Sequence, residues 1–299
     1  MKKEWMILFA ICVLAALAPQ AIAQTPPSPP KVLSIFREDV KAARGTAHEK
    51  LEASYAAAMR KAKWDTYSLG LSSVSGVGDA WFLTGYPSLE AMETDRRNID
   101  KNAALSAEFE RLDEQDAQFR TNQRQMIARF ADDLSYQPSV DIPHMRYFDV
   151  ITFRVRPGHE AQFGEAAKLI RDAYMKAKTP NVHWATYAVM SGAPAGTYLV
   201  FIPLKSLKEI DASMEAEKDF MMALGEDGGK KLEKIASEAY VSMESSIYAF
   251  SPRMSYVPKE WEDADAAFWK PKAMTVAKAP MKKAPAKTAS AKTSTETKP

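Results

Sequence analysis

Over Tyr147 to Val155 the chain is apolar on both alternating sets of positions: Tyr147, Ile151, Phe153 and Val155 on one, Phe148 and Val150 on the other. A run so rich in aromatic and β-branched residues, stopped by Pro157-Gly158, predicts a strand covered on both faces. Beyond the break, Phe163, Ala166, Ala167, Ile170, Ala173 and Tyr174 recur at helical spacing and predict a helix over Gln162 to Lys178. Trp184 to Met190 and Thr197 to Pro203 flank a turn from Gly192 to Gly196 and read as a hairpin. Ser206 with Glu209 has the form of a capping box. It opens a helical region to about Ala239, with a break expected at Gly228-Gly229. A last strand, Val241 to Phe250, closes the unit.

The same order occurs earlier in the chain. Val32 to Val40 reads as a strand, His48 to Ala62 as a helix, and Trp64 to Tyr86 as a hairpin turning at Gly76 to Gly78. A helix is then expected from Ser88 to about Met126, and a short strand to Tyr136. Sequence matches follow this order. Phe130, Leu134-Ser135-Tyr136 and Pro138 correspond to Phe250, Met254-Ser255-Tyr256 and Pro258 at an offset of 120, and Trp64-x-Thr66-Tyr67 matches Trp184-x-Thr186-Tyr187 at the same offset. His48-Glu49 and His159-Glu160 both fall near the start of a first helix. The chain reads as a duplicated βαββαβ unit.

A βαββαβ unit folds as a four-stranded antiparallel sheet with both helices on one face, the ferredoxin-like arrangement. The other face is apolar here and needs a cover, which the equivalent face of the second copy supplies. The fold expected is therefore α+β: two tandem ferredoxin-like modules pairing their sheets into an intrachain barrel. In element order and duplication the chain, from about Val32 to Pro258, resembles the dimeric α/β-barrel superfamily, which includes antibiotic-biosynthesis-monooxygenase-like, NIPSNAP-like, EthD-like and chlorite-dismutase-like families. Its repeated motifs suggest an exported branch of that superfamily with two fused modules. A fold-level resemblance carries no function by itself.

The ends differ in kind from this body. Lys2 and Lys3, the apolar run Trp5 to Ala18, and Ala21-Ile22-Ala23 form a secretory signal pattern with cleavage after Ala23. Export to the periplasm or beyond is the expected destination. The domain reading is 1–23 signal, 24–31 proline-rich linker, 32–138 first module, 139–144 linker, 145–258 second module, 259–269 extension and 270–299 tail. The tail is Lys, Ala, Pro, Thr and Ser, a composition that cannot offset its ordering entropy and is expected to be disordered. The chain's formal charge is +2; the tail contributes +7 and the signal +1, leaving the body at about −6. The tail is either a tether to anionic envelope polymers or lipid head groups, or an unselected solubilising segment. An acidic body and a basic tail without aromatics argue against nucleic acid. Cys12, the single cysteine, leaves with the signal, so thiolate metal sites and cysteine nucleophiles are excluded.

In the superfamily resembled, the barrel interior commonly holds a small apolar or aromatic ligand, sometimes haem. The candidates for such a cavity are Trp64, Tyr67, Trp81, His183, Trp184, Tyr187, Tyr198 and Arg154, with strand alternation sending Trp64 and Tyr67 to opposite faces. Arg37, Arg154 and Arg156 are either bidentate donors to a carboxylate or solvated strand ends. His183, then His159, is the haem-ligand candidate; His48 and His159 are expected to be exposed and structurally neutral. No cofactor is expected outright. The acids of Glu90–Arg97 and Glu108–Arg124, Asp95 and Asp116 among them, read as solvated helix faces. Three functions remain: binding of a small hydrophobic ligand between the sheets, a monooxygenase-like or haem-dependent enzyme using the same cavity, and an envelope protein acting through its tail. The duplication provides the pairing for a monomer with an internal pseudo-dimer.

Overall fold

The structure is a computed structural model that describes residues 27–270. The signal segment, its cleavage point and all of the tail but Lys270 lie outside the described residues. The first module comprises β1 (Val32–Val40), α1 (Gly45–Ala62), β2 (Ser68–Ser73), β3 (Asp79–Tyr86), α2 (Leu89–Lys101), α3 (Ala103–Asp116) and β4 (Arg120–Phe130). The second comprises β5 (Tyr147–Val155), α4 (Glu160–Ala177), β6 (Ala185–Ser191), β7 (Thr197–Leu204), α5 (Lys208–Ala239) and β8 (Tyr240–Phe250). Two short helices follow, α6 (Lys259–Ala264) and α7 (Ala266–Trp269). No described helix is long and apolar enough to cross a membrane.

All eight strands join one closed antiparallel barrel in the order β1-β3-β2-β8-β5-β7-β6-β4. Each module contributes four contiguous strands with its helices outside, and closure removes the free sheet edges. The inner faces of both sheets fill one core, where Ile35, Leu71, Val150 and Leu199 are almost wholly buried. The modules meet along two short seams. Leu71 faces Phe250 at one, and Tyr187 faces Phe130 at the other.

Those registers define which residues are true counterparts. Tyr256 bridges to Ser68 in the first module, and Tyr136 bridges to Trp184 in the second. The Ser-Tyr-x-Pro repeat is thus a real equivalence, each copy clasping the other module. The Trp-x-Thr-Tyr match is not, because the counterpart of Trp184 is Ser68 rather than Trp64. Likewise α1 and α4 each run 18 residues, so His48 corresponds to Phe163 and not to His159.

Two element boundaries also depart from the sequence pattern. The helix expected to reach Met126 ends at Asp116, and β4 takes over at Arg120. Residues 121–125 look unlike a strand because they pair with β1 alone; β6 reaches only Ile127 to Phe130, so these five residues stay exposed without an apolar face. In α5 the break lies at Gly225, whose φ of 73° and ψ of 167° no helix allows, and not at Gly228-Gly229.

Candidate functional site

The strands converge on an open barrel mouth where β1, β2, β5 and β6 begin and β3 and β7 end. A cavity of about 940 Å³ opens there. Its floor is the last inward layer of strand side chains, Leu33, Leu69, Leu83, Phe148, Tyr187 and Phe201. Three connecting segments wall it: Pro27 to Pro30 before β1, Val140 to Pro143 between the modules, and Val257, Pro258 and Trp261 after β8. The first is pinned by the Tyr187 hydroxyl, which donates to the Pro30 carbonyl at 3.0 Å. Burial pushes the Tyr187 phenol well above its ordinary pKa, so it stays a neutral donor.

Of the residues singled out from sequence, Tyr67, His183, Trp184 and Tyr187 line this cavity. Tyr67 stands on Tyr256, with ring centroids 5.1 Å apart, and Trp184 stands on Tyr136 at 5.2 Å. The other four lie elsewhere. Trp64 precedes β2 and donates to Asp95 at 2.8 Å. Trp81 faces inward but deeper, beyond the packed layer, where its indole donates to Asp79 at 2.8 Å. Tyr198 is on the outward face of β7 and stacks on Phe163 of α4 at 4.6 Å. Arg154 is an exposed residue near the end of β5 remote from the mouth.

Asp95, read from sequence as one of many solvated acids, is instead a hub. It accepts from Trp64 Nε1 at 2.8 Å, Thr66 Oγ1 at 2.7 Å and the Tyr86 hydroxyl at 2.9 Å. Thr66 and Tyr86 are on the cavity rim, so Asp95 fixes that wall from behind. Arg37 is not a solvated strand end: its Nε lies 2.5 Å from Asp79 Oδ2, and the Asp79 side chain has no exposure.

The ionisable lining has one sign. Asp65, Asp141 and Glu260 border the cavity with His183, and no lysine or arginine among the described residues does. Haem, the cofactor the resemblance allows, does not fit this lining. Its propionates would face carboxylates, and His183 Nε2 is already within hydrogen-bond distance of the Pro203 carbonyl at 2.9 Å. His159, the other haem-ligand candidate, caps α4 and pairs with Gln162.

A second constellation lies under the helices of the first module. Glu38 on the outward face of β1, His48 and Glu52 on α1, and Asp116 at the end of α3 bring ligand atoms within 4.8 Å of one another. His48 is 2% exposed, which corrects the expectation of a solvated histidine. Its Nε2 lies 2.8 Å from Glu38 Oε2 and 3.7 Å from Asp116 Oδ1. Arg120, at the start of β4, donates to Glu38 at 2.6 Å and to Asp116 at 2.8 Å. The group draws on four elements, so no single motif marks it. The legible signals were His48 and Glu52, four apart on one helix face, and Asp116 and Arg120, four apart across the α3–β4 junction.

No protein-family model matches the chain, and no curated protein matches it. Similar solved structures include an anthrone oxidase-like protein, 14% identical with a TM-score of 0.49 over 74% of this chain and 92% of that one. A provisionally assigned monooxygenase of Lactobacillus acidophilus is 10% identical, with a TM-score of 0.46 over 75% and 94%. A mutant chlorite dismutase from Candidatus Nitrospira defluvii in complex with cyanide is 10% identical, with a TM-score of 0.43 over 75% and 92%. Likeness this distant carries neither chemistry nor substrate to this chain; the barrel assignment rests on its own strand order.

Proposed function

We propose that this chain is a binding protein for a small apolar ligand, neutral or positively charged, taken up at the barrel mouth. One observation carries the reading: a cavity of about 940 Å³ with aromatic walls whose charged lining groups are all acidic. Cavities of this size, mostly apolar with a few placed polar groups, suit drug-sized ligands. Tyr67, Trp184 and Trp261 offer ring faces to a planar or cationic group, and the carboxylates repel anions.

For the rival reading, a monooxygenase-like or haem-dependent enzyme in the same cavity, the acid–base pair at hand is the lining Asp141 with His144 at 2.6 Å, and His144 itself does not line the cavity. Export, with cleavage after Ala23, belongs to the same proposal and is supported by the sequence of residues 1–23. Native mass spectrometry of the mature protein from its own envelope fraction tests the binding reading. A stoichiometric apolar adduct that is not an acid supports it; an acidic adduct or a haem-bound form overturns it.

A further inference from the structure

The two modules fill one structural position in opposite ways. Val40 pairs with Arg120 across β1 and β4, and Val155 pairs with Tyr240 across β5 and β8. Counting back from these pairs, Glu38 corresponds to Phe153 and Arg120 to Tyr240. Along the matched helices His48 corresponds to Phe163 and Glu52 to Ala167; Asp116, four residues before the last strand, is wholly buried, whereas Ala236, four residues before β8, is exposed. In the second module Phe153, Phe163 and Tyr240 form an ordinary aromatic cluster, with centroids 5.2 to 6.0 Å apart. The fold is therefore complete with hydrocarbon here, and three carboxylates, an imidazole and a guanidinium are not needed to build it. Buried ions are costly unless each is matched by partners.

They are not matched. With its three carboxylates ionised and Arg120 positive, the group itself carries two surplus negative charges, and Arg120 is shared besides with the more exposed Asp113 at 2.5 Å. Asp116 Oδ1 is fully buried and has no hydrogen-bond partner, though it points at His48 Nε2 across 3.7 Å. Glu52, 7% exposed, has no side-chain hydrogen bond among the described residues; its nearest ionic neighbour is His48 Nε2 at 4.0 Å.

We propose that Glu38, His48, Glu52 and Asp116 bind one divalent first-row metal ion beneath α1 and α3. The missing charge is +2. One imidazole with three carboxylates suits zinc, manganese or ferrous iron better than calcium or magnesium, which favour all-oxygen sets. The ion takes the place of the contact His48 Nε2 now makes with Glu38 Oε2 and gives Asp116 Oδ1 and Glu52 the partner they lack. Arg120 stays behind Glu38 and Asp116, orienting them. The four side chains are 7% exposed or less, so the ion's work is to fasten α1 and α3 to β1 rather than to act on a substrate.

The test uses the full mature chain, stripped with a chelator and titrated by calorimetry with zinc, manganese or ferrous ions in turn. One ion per chain is expected for at least one of them, with a rise in Tm. Glu52→Gln keeps the shape of the protonated acid, so it folds but loses at least tenfold in affinity and most of the Tm rise. A second variant transplants the other module's core: Glu38→Phe, His48→Phe, Glu52→Ala, Asp116→Ala and Arg120→Tyr together. It is expected to bind no ion here. Absence of a stoichiometric ion in the unaltered chain, or equal binding by Glu52→Gln, would overturn the assignment whatever the fate of the transplant.

Discussion

The side chain of Ser255, in the second module, accepts a hydrogen bond at 2.9 Å from the backbone N–H of Gly70 in the first. Its counterpart Ser135 accepts at 2.9 Å from Thr186 in the reverse direction. Both serines are buried, and each donates back to its own segment, Ser255 to the Ser251 carbonyl and Ser135 to the Ala131 carbonyl. The duplicated chain is closed by an exchange of identical clasps. Ser255→Ala leaves a buried N–H unpaired, a loss of ~1–3 kcal/mol, and Ser135→Ala does the same. Urea denaturation followed by fluorescence measures both. The two losses should add, because the seams share no partner.

The β6–β7 turn presses against the opposite module. Gly192 has a φ of 88°, and a Cβ there would lie 1.9 Å from the Gln125 carbonyl oxygen. Gly192→Ala therefore combines backbone strain with a collision against β4, and a loss above ~2 kcal/mol is expected. Gly158→Ala, also at positive φ but with open space around it, should lose less. Thermal unfolding of the two variants side by side separates strain from collision.

Asp95 holds the cavity rim through three hydrogen bonds. Asp95→Ala frees the Trp64, Thr66 and Tyr86 donors, with a stability loss of ~1–3 kcal/mol. Because Thr66 and Tyr86 border the cavity, ligand affinity should fall as well. A variant that unfolds more easily yet binds with unchanged affinity would separate the rim from the site.

Filling the mouth should abolish binding at little cost to the barrel. Ala185 borders the cavity, and Ala185→Trp directs a large ring into existing space rather than into packed core. The expected outcome is unchanged unfolding within ~1 kcal/mol and at least tenfold weaker uptake of a neutral aromatic probe, read by fluorescence.

Much of the fold was legible because its signal is local. Val32–Val40 and Tyr147–Val155 are strands by composition alone, and the Ser-Tyr-x-Pro copies announce the duplication. The first half of β4 was not legible, since a strand paired on one side with both faces wet shows no apolar alternation. The Trp-x-Thr-Tyr match misled by resemblance of letters: four residues separate it from the true register, which only strand pairing reveals. The cavity was legible as a class of lining residue, Tyr187 and Trp184 among them, but not in its walls. Pro27 to Pro30 and Trp261 come from segments that look like connections. The buried group around His48 was hidden because Glu38, Glu52 and Asp116 are ordinary surface residues in composition, and burial is decided by which helix packs on which strand.

The claim that the mouth takes a neutral or cationic apolar ligand is tested most directly with three isosteric probes: 2-naphthylmethylamine, 2-naphthalenemethanol and 2-naphthoate. Titration of each into the mature protein, followed by quenching of tryptophan fluorescence, compares charge at constant shape. The amine and the alcohol should bind at least tenfold more tightly than the carboxylate, and all three should fail with Ala185→Trp. Preference for the carboxylate, or uptake that survives the filled mouth, would contradict the account.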